Sequence, residues 1–325
     1  LALVLVLGCL AGCTAKTPEA STPPQQASQK PEGEAKKDVV IGVTMADTTS
    51  PSIVLMVNAM QEKAKEYGNV TLKVVDYESD ILKLTESVEN FVSAGVDCII
   101  AQTMDSGSGT DALKVAKDAG ITVIAFDTAL EDGVMDYFFG ASNYDLGFTI
   151  GSAAGKWASA NIEGKVIAGI CNAPDIAFAV ERSNGIIDGI KAECPEVEIA
   201  MTAECYMTTV GVETGENFLN ANPNMNLVAG INDGGVLGVY EAFKAAGKAE
   251  NKQIGIFGGD GTPDGFNAVN AKDIFRGTVS LKLDEIGVQM VKCAYDTANG
   301  NPPKETNVYF PMIPVSTDNV ADFIK

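Results

Sequence analysis

From Asp38 to Val315 the sequence alternates short β-branched runs with helical patterns, one pair about every 30 residues, and no other feature restricts the fold as strongly. Strands are expected at VVIGVTM (39–45), VTLKVV (70–75), VDCIIA (96–101) and ITVIAF (121–126). Helices are expected near 52–67, 82–94 and 109–119, the last two closing on Gly95 and Gly120. The rhythm then restarts, with a helix near 145–160, KVIAGI (165–170), a helix near 177–192, VEIAM (197–201), a helix near 211–221, NLVAGI (226–231), a helix near 235–246 and QIGIF (253–257). Apolar strands joined by helices make parallel sheets covered on both faces. Two such series predict an α/β protein of two similar doubly wound lobes.

A last passage, FRGTVSL (275–281), a helix near 283–298 and NVYFPMIPV (307–315), lets the chain return between the lobes. Crossings are expected near Ala141 and Ser142, Ser280 and Leu281, and Tyr309 and Phe310, giving a three-strand hinge. The N-terminal lobe would then hold 38–141 plus 281–308, and the C-terminal lobe 142–280 plus 309–325.

Ligands of open α/β sheets bind beyond the carboxyl ends of the strands, and two lobes bring those ends face to face. The residues just past each strand are Ala46 and Asp47, Gln102 to Asp105, Asp127 and Thr128, Cys171 and Asn172, Tyr206, Asn232 and Asp233, and Asp260. Asp260 lies in QIGIFGGDGTPDG, where several loop chemistries compete. A phosphate cradle lacks its lysine and meets Asp264 at its last position, and a calcium loop lacks its twelfth-position glutamate. A strand and turn with Thr262 or Asp264 capping the next helix, and a carboxylate facing the cleft, both remain open.

The chain has 325 residues, long enough for two lobes, and a formal net charge of -20, which would repel a nucleic-acid backbone. It contains no histidine, which removes the commonest metal ligand and every Ser-His or Cys-His pair. No metal, no cofactor and no covalent chemistry are expected. Five cysteines beyond the N-terminal region, Cys98, Cys171, Cys194, Cys205 and Cys293, match no metal or disulfide pattern and read as buried thiols, with a Cys194–Cys205 bridge left open.

LALVLVLGCLAGC (1–13) is an apolar run of signal-peptide length. It lacks an initiator methionine and basic flank, so the sequence is expected to begin inside its signal region. Leu10-Ala11-Gly12-Cys13 resembles the bacterial lipobox, which would make Cys13 the lipid-bearing first residue of the mature protein, with Val6 to Cys9 a competing site. The Pro-, Ser- and Lys-rich segment 14–37 has no apolar face and is expected to be a flexible tether.

IGVTMADTTSP, AGVDCIIAQTMD, AGITVIAFDT, VERSNGIIDGI, LVAGINDGGVLGVYEAF and IFGGDGTPDG, in this order and spacing, resemble the type I periplasmic binding proteins, the sugar-binding proteins and lipoproteins of ABC importers in the ribose-binding branch. The resemblance implies an extracytoplasmic, lipid-anchored monomer that closes two lobes on a small neutral sugar or polyol and delivers it to the transmembrane subunits of a permease. It implies sugar-hydroxyl partners at Asp127, Asn232, Asp260 and Gln102, and a stacking ring at Tyr206. Asp47, Ser50, Asp105 and Thr128 are further candidates at the strand ends.

The departures matter as much. Two family arginines fall on Thr128 and Val180, a glutamine on Leu281, and two stacking phenylalanines on Ser52 and Ile53. The cleft is therefore expected to lack an arginine, to reject carboxylates and phosphates, and to hold at most one aromatic wall. Arg182 is expected to pair with an acid on the surface or at the hinge, and Trp157 to serve packing. Asp127 and Asp260 read alternatively as turn residues, Asn232 as a helix cap and Tyr206 as core. A sensor feeding a membrane receptor or kinase, a binder of nucleosides or amines, and a repressor effector domain remain other readings of the same fold, the last requiring a helix-turn-helix where the lipid signal stands.

Overall fold

In the computed structural model of the protein, residues 37–324 are described. The expected lipid site at Cys13, and the expected tether except for Lys37, lie outside them. The first half runs β1 (Val39–Met45), α1 (Pro51–Tyr67), β2 (Val70–Asp76), α2 (Ile81–Ser93), β3 (Cys98–Gln102), α3 (Ser106–Asp118), β4 (Thr122–Phe126) and β5 (Tyr137–Gly140). The second runs α4 (Asn143–Asn161), β6 (Ile167–Asn172), α5 (Ala177–Glu193), β7 (Glu198–Glu204), α6 (Thr208–Ala221), β8 (Leu227–Gly230), α7 (Asp233–Ala245), β9 (Gly255–Phe257), α8 (Pro263–Asn270) and β10 (Phe275–Ser280). It closes with α9 (Leu283–Ala298), β11 (Asn307–Tyr309) and β12 (Ile313–Ser316).

Two six-stranded sheets result, ordered β11-β5-β4-β3-β1-β2 and β12-β10-β9-β8-β6-β7. Among the described residues every strand pairing is parallel except β10 with the edge strand β12. Each sheet sits between helical layers, as apolar parallel strands require, in the type I periplasmic binding protein architecture. The chain passes between sheets after β5, after β10 and after β11.

Two strand readings change. YFFG at 137–140 adds a fifth strand that was not expected, four residues long and buried on both faces. So short an apolar run carries no period. NVYFPMIPV is two strands in different sheets, because Pro311 has no N–H for a ladder and the chain leaves the first sheet there.

Helices α4 and α5 approach until their backbones touch. A Cβ on Gly147 would lie 1.9 Å from the Arg182 carbonyl oxygen, and one on Gly151 would lie 2.1 Å from that of Ile186. Glycine at these positions permits the approach. It also fixes Arg182 beside the first turn of α4, which decides what its side chain can reach.

All five described cysteines are buried and free, so Cys194 and Cys205 are not bridged. Cys205 instead faces Cys171, and its amide donates to the Asn172 carbonyl at 2.8 Å. Trp157 packs on Phe257 at 5.9 Å between ring centroids, as a packing residue should.

Candidate ligand-binding site

The carboxyl ends of both sheets open on one cavity of about 330 Å³, at the small end of the range typical for ligand sites. Among the expected residues, Asp47, Ser50, Gln102, Asp127, Tyr206, Asn232 and Asp260 line it. Asp105 and Thr128 do not. Nor do Thr103 and Asp233, which come after β3 and β8, or Cys171 and Asn172, which are the last two residues of β6.

Asp127 follows β4 and has a φ of +69°. The Thr128 amide donates to the Phe126 carbonyl at 2.8 Å, so Asp127 is the centre of a strained three-residue turn. That turn aims Asp127 at the cavity and carries Thr128 away from it. Gln102, 8% exposed, accepts from the Ala46 amide through Oε1 (3.1 Å), which orients its Nε2 toward Asp127 Oδ2 at 3.5 Å. Asp105 is exposed because its carboxylate caps α3, accepting from the Ser108 amide at 2.9 Å.

Asp260 mirrors Asp127 from the other sheet, with a φ of +86° and 8% exposure. The clamp behind it is Asp233. The Asp233 amide donates to the Gly259 carbonyl (2.7 Å), and its carboxylate accepts from the Thr262 amide (2.8 Å), Thr262 Oγ1 (3.0 Å) and Thr278 Oγ1 (2.6 Å). Residues on both sides of Asp260 are thereby held to one fully buried residue, Gly259 by the Asp233 amide and Thr262 by its carboxylate. Gly258 and Gly265 make room for it, since a Cβ on either would come within 2.4 Å of an Asp233 oxygen. Thr262 also caps α8, accepting from the Gly265 amide at 3.1 Å. The turn-and-cap and cleft-carboxylate readings of this loop are thus both realised, by different residues.

Arg182 is the main correction. It was expected outside the cleft, yet it lines the cavity and is 7% exposed. Its Nε (3.1 Å) and Nη2 (2.6 Å) donate to Asn143 Oδ1, and its Nη1 donates to the Ile231 carbonyl (2.9 Å) and lies 3.6 Å from Asp260 Oδ1. The signal was in the helix: Arg182 shares its face with the buried Ala179, Ile186 and Ile190, one and two turns away. The premise that the cleft lacks an arginine therefore fails. What remains is an arginine already engaged by three protein groups.

Burial pushes the Asp260 carboxyl up to about 6; Arg182 opposes this, Asp127 adds to it, and the Ser52 hydroxyl from the opposite lobe opposes it. Burial likewise raises Asp233 to about 7, helped by the charge of Asp260 and resisted by the threonine donors. The remaining candidates are partly self-satisfied. Asn232 caps α7 through Oδ1, accepting from the Gly235 amide (3.0 Å), and donates Nδ2 to the Tyr206 carbonyl (2.9 Å). Asp47 accepts from the Thr49 amide at 2.8 Å, and the Ser50 and Ser52 hydroxyls lie 3.1 Å apart.

The expected single aromatic wall is also corrected. Phe126, Phe178 and Phe310 join Tyr206 around the cavity, beside Ser52, Ile53 and Leu281. Phe126 escaped notice as the last residue of a strand and Phe310 as the middle of a supposed one, while Phe178 sits in the first turn of α5. Val180 points elsewhere and is exposed.

Residues 41–302 match the family described as the periplasmic binding protein domain. The ribose import binding protein of Bacillus subtilis is 26% identical over 304 residues, covering 94% of each chain. A putative rhizopine-binding protein of Rhizobium meliloti is 28% identical over 294 residues, 87% of this chain and 92% of that one. Among solved structures, an ABC transporter solute binding protein from Bacillus halodurans with bound myo-inositol is 26% identical with a TM-score of 0.77, covering 89% of this chain and 98% of its own. A periplasmic solute binding protein from Actinobacillus succinogenes with bound D-allose, 22% identical, shares the fold with a TM-score of 0.78 over 87% of this chain and 99% of its own. The facing sheets, the cleft at their strand ends and these likenesses agree, and this chain belongs to the periplasmic binding protein domain family, whose members are extracytoplasmic binding proteins.

Proposed function

We propose that this chain is the solute-binding component of an ABC importer, closing two lobes around a small sugar or polyol and presenting it to a permease. One observation carries the reading: Asp127 and Asp260, from opposite sheets, line the same small cavity. A carboxylate accepts several hydroxyl hydrogen bonds, and aromatic rings pack against the C–H faces of a sugar. The ligands bound in related structures, myo-inositol and D-allose, are polyhydroxy compounds of this kind.

The three crossings act as the hinge between lobes 38–141 plus 281–308 and 142–280 plus 309–325. A ligand bridging Asp127 and Asp260 contacts both walls only when they are close, so its differential affinity drives closure. Cys13 carries the lipid that tethers a monomer to the outer face of the membrane, a reading that rests on the Leu10 to Cys13 motif. A thermal-shift screen of monosaccharides and polyols tests the function, because a ligand specific to the folded state raises the melting temperature. Small-angle scattering with a hit should show a smaller radius of gyration. No shift across the panel, or a hit without compaction, would count against the reading.

A further inference from the structure

The cavity holds more negative charge than hydroxyl recognition requires. Asp47, Asp127 and Asp260 line it, against a single cationic residue among the described lining residues, Arg182. That guanidinium is committed to Asn143, Ile231 and Asp260, all on its own side of the cleft. Asp127, just past β4 of the opposite sheet, has among the described residues one side-chain hydrogen bond, from the Gln102 amide at 3.5 Å, a long and uncharged contact. The same cavity is lined by Phe126 and Phe310, whose ring centroids lie 5.9 Å apart, and by Met104. A carboxylate in such a cavity gains most from a cation, and aromatic rings attract one as well.

We infer that the cleft takes a sugar or cyclitol carrying one ammonium group in place of a hydroxyl, with the ammonium against Asp127, and holds it more tightly than the neutral parent. This rests on the proposed solute site. The ammonium offers three donors and a positive charge where the protein supplies one weak donor and none. The same charge balance disfavours anionic ligands despite the cleft arginine, because Arg182 already has its anion. The upward displacement of the Asp260 carboxyl, to which Asp127 contributes, is consistent with this excess.

The test is calorimetric titration of the purified protein with D-glucosamine, D-galactosamine, D-mannosamine and an aminocyclitol, each beside its neutral parent. At about pH 6, below the ordinary amine range, at least one amine should bind at least about tenfold more tightly than its parent. The advantage should shrink at about pH 9, where the amine loses its proton, and Asp127→Asn should bring the ratio near one while the protein still melts cooperatively. Neutral parents binding as tightly as their amines, or a preference that survives Asp127→Asn, overturns the inference and leaves the sugar site standing. Absence of binding by either member of every pair overturns both.

Discussion

The buried carboxylate of Asp233 accepts the backbone amide of Thr262 at 2.8 Å, two residues past the cleft-lining Asp260. With the Asp233 amide on Gly259, this makes one residue the brace for the whole GGDGT turn. Asp233→Ala removes the acceptor and leaves the Thr262 amide and two hydroxyls without their partner. The expected cost is about 3 kcal/mol in urea unfolding, together with weaker ligand binding as Asp260 loses its fixed position. A stable variant with unaltered affinity would show that the turn holds itself.

The same pair of acids makes stability depend on pH. Asp233 and Asp260 titrate in the folded protein near 7 and 6, above the unfolded value near 4, so the folded state binds their protons more tightly. Their contribution is full below about pH 4 and declines as pH rises through 6 and 7. Asp76 and Asp105, held below their ordinary values by hydrogen bonds, act in the opposite direction at lower pH, so the difference between proteins is the useful readout. Asp233→Asn can still accept from Thr262 through its Oδ1 and donate to Thr278. Relative to it, the parent protein should lose melting temperature between pH 4 and 8. Parallel curves would show that Asp233 does not titrate in this range.

Asp260→Asn keeps a residue type that tolerates a left-handed backbone but removes the charge and part of the acceptor capacity. With a hydrogen bond to a charged group contributing about 1.5–3 kcal/mol, affinity for the identified ligand should fall roughly ten- to two-hundredfold. The melting temperature should fall by less than in Arg182→Ala, because Arg182 loses its anion but keeps Asn143 and the Ile231 carbonyl. A destabilised variant with intact binding would assign Asp260 to the turn alone.

Much of this molecule was legible because its signals are local. Strand ends located Asp127 and Asp260, and Gly95 and Gly120, both with positive φ, marked helix ends. The misplacements concern side-chain direction, which a position at a strand end or on a helix does not settle. Asp105 and Thr128 follow strands, yet a helix cap and a three-residue turn point them away. Arg182 looked like a surface charge because the glycine contacts that draw α5 onto α4 involve residues about 35 positions apart, too distant for any periodicity to reveal.

Arg182 gives the sharpest remaining test, because its partners can be separated. The pair it forms with Asp260 is buried, with side chains 8% and 11% exposed. Removing one member of such a pair leaves the other charge uncompensated, and Arg182→Ala should therefore cost roughly 3–5 kcal/mol. Arg182→Lys should recover only part of this, since one ammonium cannot reproduce the guanidinium fork on Asn143, Ile231 and Asp260. The double variant Arg182→Ala with Asp260→Asn closes the cycle: if the ion pair is energetically real, the two losses should fall short of additivity by at least about 1 kcal/mol in denaturant unfolding. Strict additivity would mean that Arg182 acts through Asn143 and Ile231, bracing α4 against β8, and that the Asp260 carboxylate is free to serve the ligand without it.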